Sequence, residues 1–199
     1  MKHEIWCPLE DMKKERLWYA IVTRDRQGKI VARERRKSHS FLKAWNQVVY
    51  TQMAQAGLNI TDTGNIARAV AQNLNNFDMS AAIGITTYGI RVGTGNTAVA
   101  ISNFALETPI AEGVAAGQME HLVCTVAQPV VSAPSCSFLV SRSIANNSGG
   151  VITVREATIY MKMGATPFYG CGTRDVLAAP QAVPNGGAIT IDWTIGVTI

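Results

Sequence analysis

Ile189-Thr190-Ile191-Asp192-Trp193-Thr194-Ile195-Gly196-Val197-Thr198-Ile199 puts an apolar side chain at every odd position and a small or polar one at every even position. Successive side chains of a strand point to opposite faces, so this unbroken period of two predicts a strand with one face in a core. The stretch is expected to close a sheet.

Upstream lie the turn Val183-Pro184-Asn185-Gly186-Gly187 and a strand over residues 174–177. Asn146-Asn147-Ser148-Gly149-Gly150 is a second turn signal. After it, apolar residues occupy even positions (Ile152, Val154) and then odd ones (Ala157, Ile159, Met161, Met163). One extra residue near Arg155-Glu156 makes such a change of phase, which predicts a β-bulge there. Residues 123–131 and 135–144 read as a strand pair separated by Ala133-Pro134. The second strand of that pair carries Cys136, Phe138, Val140 and Ile144 on one side, and Arg142, on the same side, is expected near a sheet edge or subunit contact. Residues 86–92 read as a short strand before Gly93, and Gln72-Asn73-Leu74-Asn75-Asn76 as a loop. Strands at this spacing predict a mainly β chain, with an antiparallel β-sandwich or jelly roll over residues 58–199.

Residues 1–57 read differently. Residues 17–22 and 29–32 form a hairpin across the turn Asp25-Arg26-Gln27-Gly28. One amphipathic helix follows, with Phe41, Leu42, Trp45, Val48, Val49, Met53 and Ala56 at helical spacing, Ser38 or Ser40 as N-cap and Gly57 as the stop. Residues 1–50 hold twelve Lys/Arg against six Asp/Glu, while residues 51–199 hold six against eight. The basic run Arg33, Arg35, Arg36, Lys37 is read as a charged sheet edge that deters aggregation. Hairpin and helix together are expected to be a docking module, with Trp18, Phe41, Trp45 and that basic run as its oligomer or docking residues.

Charged residues make up 16% of the 199 residues, below the roughly 25% of average soluble domains. This fits a surface partly covered by neighbouring subunits. No apolar run approaches the ~20 residues that span a bilayer, and the first residues show no signal-peptide pattern, so synthesis and use without export are expected. Cys7, Cys124, Cys136 and Cys171 form no CxxC, and His3, His39 and His121 stand apart, so no metal site is expected and the thiols are read as small buried hydrophobes. Gly93-Thr94-Gly95-Asn96-Thr97-Ala98 fits a dinucleotide fingerprint literally, but no helix pattern follows it, so it is read as a turn and no cofactor is expected. Nothing brings two of Glu107, Glu112, Glu120 and Glu156 together as a catalytic pair, so they are placed at solvent or an interface, and no catalytic residue is assigned. Trp6, Tyr88, Phe168 and Tyr169 are aromatics that could stack on sugars, although packing is the simpler use of each.

Five segments resemble a family of tailed-bacteriophage virion structural proteins: Ser40-Phe41-Leu42-Lys43-Ala44-Trp45-Asn46, Gly89-Ile90-Arg91-Val92-Gly93-Thr94-Gly95, Ala105-Leu106-Glu107-Thr108-Pro109-Ile110-Ala111, residues 146–154, and Arg174-Asp175-Val176-Leu177 before Val183-Pro184-Asn185-Gly186. The order of these segments between residues 40 and 199 carries the resemblance. It implies a non-enzymatic particle component, a capsid cement or decoration protein or a tail or neck part, found in the virion after assembly in the bacterial cytoplasm. The partners it implies are the protein itself, as a trimer or higher ring, and other virion proteins. A receptor-binding adhesin with a host glycan as ligand is the alternative, and a nucleic-acid-binding accessory protein a further one; neither nucleic acid nor membrane is an expected partner. Deleting residues 189–199 is expected to abolish folding, and a soluble truncation with a cooperative thermal transition would refute the reading of that strand.

Overall fold

The computed structural model describes residues 15–38, 41–166 and 168–198. His3, Trp6, Cys7, His39, Ser40 and Ile199, all named above, lie outside them. In chain order the elements are β1 Glu15–Arg24, β2 Ile30–Lys37, α1 Lys43–Ala54, β3 Leu58–Thr61, β4 Ala67–Val70, β5 Gly89–Gly93, β6 Glu120–Val126, β7 Val130–Ser132, β8 Ser135–Asn146, β9 Ile152–Met163, β10 Phe168–Val183 and β11 Gly187–Thr198. One antiparallel sheet has the order β2-β1-β11-β8-β6, with β7 on β8; a second has β10-β9-β5, and β3-β4 is a separate hairpin. Inward side chains of both large sheets, among them Tyr19, Ile21, Val140, Ile144 and Trp193 facing Ile90, Val154, Ile159 and Met161, share one continuous core. This is the antiparallel sandwich that the strand spacing predicts.

The alternation at the C-terminus holds: Ile189, Ile191 and Trp193 are fully buried and Ile195 nearly so. Its place in the sheet differs from the expectation. β11 pairs with β1 on one side and β8 on the other, so it is a central strand and not the closing edge. Alternation reports which face is buried; it carries no information about how many edges are paired.

That pairing also changes the meaning of the N-terminal hairpin. β1 and β2 are strands of the six-stranded sheet, not an arm beside it. Glu34 faces inward, where it accepts hydrogen bonds from the Tyr19 hydroxyl (3.0 Å), the Ala178 amide (3.4 Å) and the Gln181 side-chain amide (3.4 Å), and so clips the hairpin to β10. The turn between β1 and β2 is as predicted, with Gly28 at φ 79° and the Asp25 carboxylate accepting from the Gln27 and Lys29 amides.

The helix begins later than its serines suggest. Leu42 is the N-cap residue without a side-chain cap, and its amide donates to the Gly172 carbonyl at 2.8 Å. Leu42 is fully buried with Leu106, Tyr160 and Cys171, so burial and not capping sets the start. Ser38 instead donates to the Asp175 carboxylate, and the helix stops at Gln55 (φ 53°), before Gly57.

Several strand limits are also corrected. Residues 123–131 form parts of two strands, interrupted where Pro129 has no amide to donate. The strand expected at 86–92 starts at Gly89, whose φ of 84° ends extended backbone there. The register of β9 against β10 slips between the pairs Glu156↔Val176 and Val154↔Gln181, beside Arg155-Glu156, but the surplus residues are on β10 and not on β9 as expected. Ala133-Pro134 is the two-residue connection of the β7–β8 hairpin, and Arg142 lies fully buried on β8, away from the sheet edge.

The outward face of β9 is covered by coil, which has no sheet to satisfy its amides. Glu156, fully buried, takes that part: it accepts from the amides of Gly95 (3.2 Å), Glu107 (3.2 Å) and Thr108 (2.9 Å). Arg174 of β10 donates its Nε to Glu156 at 2.8 Å and one Nη to the Thr97 carbonyl and the Asn103 side chain, both at 3.2 Å. The carboxylate expected at solvent is therefore the anchor of the 94–108 coil. Its glycines follow from close approach: a Cβ on Gly93 would meet the Thr108 carbonyl oxygen at 2.6 Å, and one on Gly95 the Glu156 carboxylate at 2.6 Å. Gly93→Ala is expected to destabilise by about 1–3 kcal/mol, whereas Gly150→Ala, with no atom within 4 Å, should stay within about 0.5 kcal/mol of the parent in urea unfolding.

Candidate functional site

Two surfaces and one buried cluster hold the side chains that could do chemistry or docking. The cluster surrounds Arg142. Its Nε donates to the Leu122 carbonyl (2.7 Å), one Nη to Ile90 (3.1 Å) and the other to Ala82 (3.2 Å) and Ile85 (2.8 Å). The guanidinium thus collects carbonyls from three segments, as Glu156 collects amides. Burial draws its pKa down, and arginine nonetheless remains a cation at neutral pH.

Next to it His121 is fully buried, with Nδ1 at 2.7 Å from Glu112 Oε2, which also accepts the His121 amide at 2.9 Å. His121 Nε2 and Arg91 Nε have no hydrogen-bond partner. Burial lowers the His121 pKa to about 4; the Glu112 hydrogen bond opposes this, and the charges of Arg142 and Arg91 add to it. The neutral imidazole donates through Nδ1 and holds the 112–121 loop, where Glu112 bridges to Met119. Sequence spacing offers no sign of this pair, since most of the chain between its members is irregular.

Of the predicted docking residues, the two aromatics of the helix region face their own protein. Trp45 stacks on Phe41 (centroids 4.3 Å apart) and meets Phe77 edge-on at 5.0 Å, and all three lie against the core. All three are half-buried, with part of each ring spent on this internal packing. Trp18, Arg33, Arg35, Arg36 and Lys37 do come together, on β1 and its edge neighbour β2, with the four cations exposed. Glu34, the acid within the run, turns inward to its partners, apart from a 3.2 Å contact with Arg36 Nε.

The sugar-stacking candidates separate in space from that patch. Tyr88 and Tyr169 lie parallel with centroids 6.1 Å apart, but the Lys162 ammonium sits 4.2 Å from the Tyr88 centroid and pairs with Asp78 at 2.8 Å. Arg68 covers Phe168 at 4.7 Å while bound to Asp62. Tyr88 and Phe168 each pack with a neighbouring cation, and Tyr169 packs on Tyr88.

The thiols of Cys124 and Cys171 are buried, and burial pushes Cys171 up to about 12, so neither is a nucleophile near neutral pH. Cys136 is half-buried. Among the described residues no three His, Cys, Asp or Glu side chains gather as a metal site, and no helix is long and apolar enough to cross a membrane.

The opposite edge of the large sheet is apolar. Leu122, Val123 and Val126 of β6 are 40–49% exposed, and Val130 and Val131 of β7 are 66% and 78% exposed. No protein-family model, curated protein or solved structure matches the chain.

The buried imidazole sets a pH dependence. With a folded-state pKa near 4 against an ordinary 6.5, the unfolded chain binds the extra proton between these values. Its contribution, on the order of 3 kcal/mol, is complete above pH 6.5 and is lost as pH falls toward 4. Thermal unfolding across that window should show the slope in the parent and lose it in His121→Gln.

Proposed function

We propose that the protein is a non-enzymatic structural component of a tailed-phage virion, self-associating through its sandwich and docking on other virion proteins as capsid cement or decoration, or in the tail or neck. The observation that carries this reading is the contrast between the two edges of the large sheet. A sheet edge offers unpaired backbone groups to another chain, and natural proteins block such edges with charge. β2 is blocked in this way by Arg33, Arg35, Arg36 and Lys37, whereas β6 and β7 present valines. An apolar edge of this kind calls for cover by a neighbouring subunit.

The virion assignment draws on the resemblance. Three of its segments meet at one place in the fold: residues 89–95 and 105–111 supply amides to Glu156, and residue 174 supplies its counter-ion. The shared residues are thus those of a scaffold. Buried charges in it are spent on backbone groups, which suits a body that assembles without changing shape.

Light scattering should return a discrete multiple of 21.4 kDa. That mass should survive high salt, because an apolar contact is not screened. Val126→Lys combined with Val131→Lys should shift it to the monomer with an unchanged melting profile. A monomeric parent at all concentrations would overturn self-association. Absence of the chain from mass spectra of the purified particles that its genome encodes would overturn the virion placement.

A further inference from the structure

The outer face of the large sheet holds a trough that none of the preceding argument uses. Trp18 of β1 sits directly across from Thr194 of β11, and Gly196, the next outward position on β11, pairs with Ser137 of β8. Together with Arg35 and Ser135 these residues line a cavity of about 420 Å³, within the range of small-ligand sites. Gly196 makes the floor: a Cβ there would lie 2.6 Å from the Ser137 Cβ, so no larger residue fits without displacing that strand. A second depression of about 220 Å³ adjoins it along β1, bordered by Ala20, Val22, Arg33 and again Arg35. The two share Arg35 in their lining.

Arg35 is exposed, and its guanidinium carbon stands 5.5 Å from the Trp18 ring centroid. It makes no ion pair among the described residues, in contrast to Arg68, Arg142 and Arg174, each of which is bound to a carboxylate or carbonyls. The trough thus brings together one indole, a planar cation that lies over it and has no carboxylate partner among the described residues, and the hydroxyls of Ser137 and Thr194. A pyranose chain has matching groups: C–H faces for the indole, hydroxyls for Ser137 and Thr194, and a carboxylate or sulfate for the bidentate guanidinium. Asp192 lies on the same outer face, bound to Ser141 at 2.5 Å. A carboxylate there accepts from sugar hydroxyls.

We propose that this trough binds an acidic oligosaccharide, with Trp18 stacking on a pyranose ring and Arg35 pairing with its anionic substituent. The site stands on its own geometry and does not depend on the edge through which copies associate. A glycan array of neutral, sialylated, uronate and sulfated chains, probed with the full-length protein, should retain acidic chains above neutral ones. Titration calorimetry with the strongest acidic chain then reads the roles. Trp18→Ala should weaken binding at least tenfold, and Arg35→Gln should weaken it while removing the preference for acidic over neutral sugar. Both positions lie on the outer face, and circular dichroism melts of the variants should match the parent; should Trp18→Ala fail to fold, Arg35→Gln alone carries the test. Equal retention of acidic and neutral chains, affinity unchanged in both variants, or duplex DNA bound more tightly than any glycan would each overturn the proposal.

Discussion

The buried pair of Glu156 and Arg174 is the contact on which the arrangement of the second sheet depends. Taking two charges out of water costs several kcal/mol per ion, and their attraction offsets this only when the remaining lone pairs and protons are also satisfied. That condition is largely met: the carboxylate accepts three backbone amides besides the guanidinium, and Arg174 reaches a carbonyl and a side-chain amide oxygen of the same coil. Arg174 also lies 3.7 Å from Glu107, close enough for Coulomb attraction and too far for a hydrogen bond. The pair therefore acts as a substitute for a strand, giving irregular backbone the partners that a ladder would have supplied.

Arg142 and Glu112 repeat the principle on the first sheet. A buried cation gathers carbonyls of the 82–90 and 122 segments, and a carboxylate holds both the amide and the imidazole of His121. Charged side chains thus tie coil to sheet: Arg142, Glu156 and Arg174 reach out from strands, and Glu112 reaches from the coil to β6. This is a way for a chain with long coil segments, at 71–88 and 94–119, to enclose a core, and it explains why a protein low in charge buries so much of what it has.

With interior charges committed inward, the exposed faces carry what is left for recognition. One edge of the large sheet is basic, the other is apolar, and the outer face between them bears the indole and hydroxyls of the trough. Assembly at an edge and ligand binding on a face are compatible uses of one sandwich, because edge pairing extends the sheet and leaves its outward side chains free.

The alternation at 189–199, the turns at 25–28, 146–150 and 183–187, and the apolar stripe at 41–56 determined the fold class, because period and turn chemistry are local properties of the chain. Glycines 93 and 95 were legible as a turn, but not as the wrapping of a carboxylate 61 residues away from Gly95. Trp18 and the basic strand could be singled out as surface features, while their meeting with Thr194 and Gly196 could not, since that register is set by β11 lying between β1 and β8. Local pattern tells a strand which face to bury. Only tertiary structure decided which strands are neighbours, hence which ring faces outward and which faces the core, because pairing depends on contacts between residues far apart in sequence.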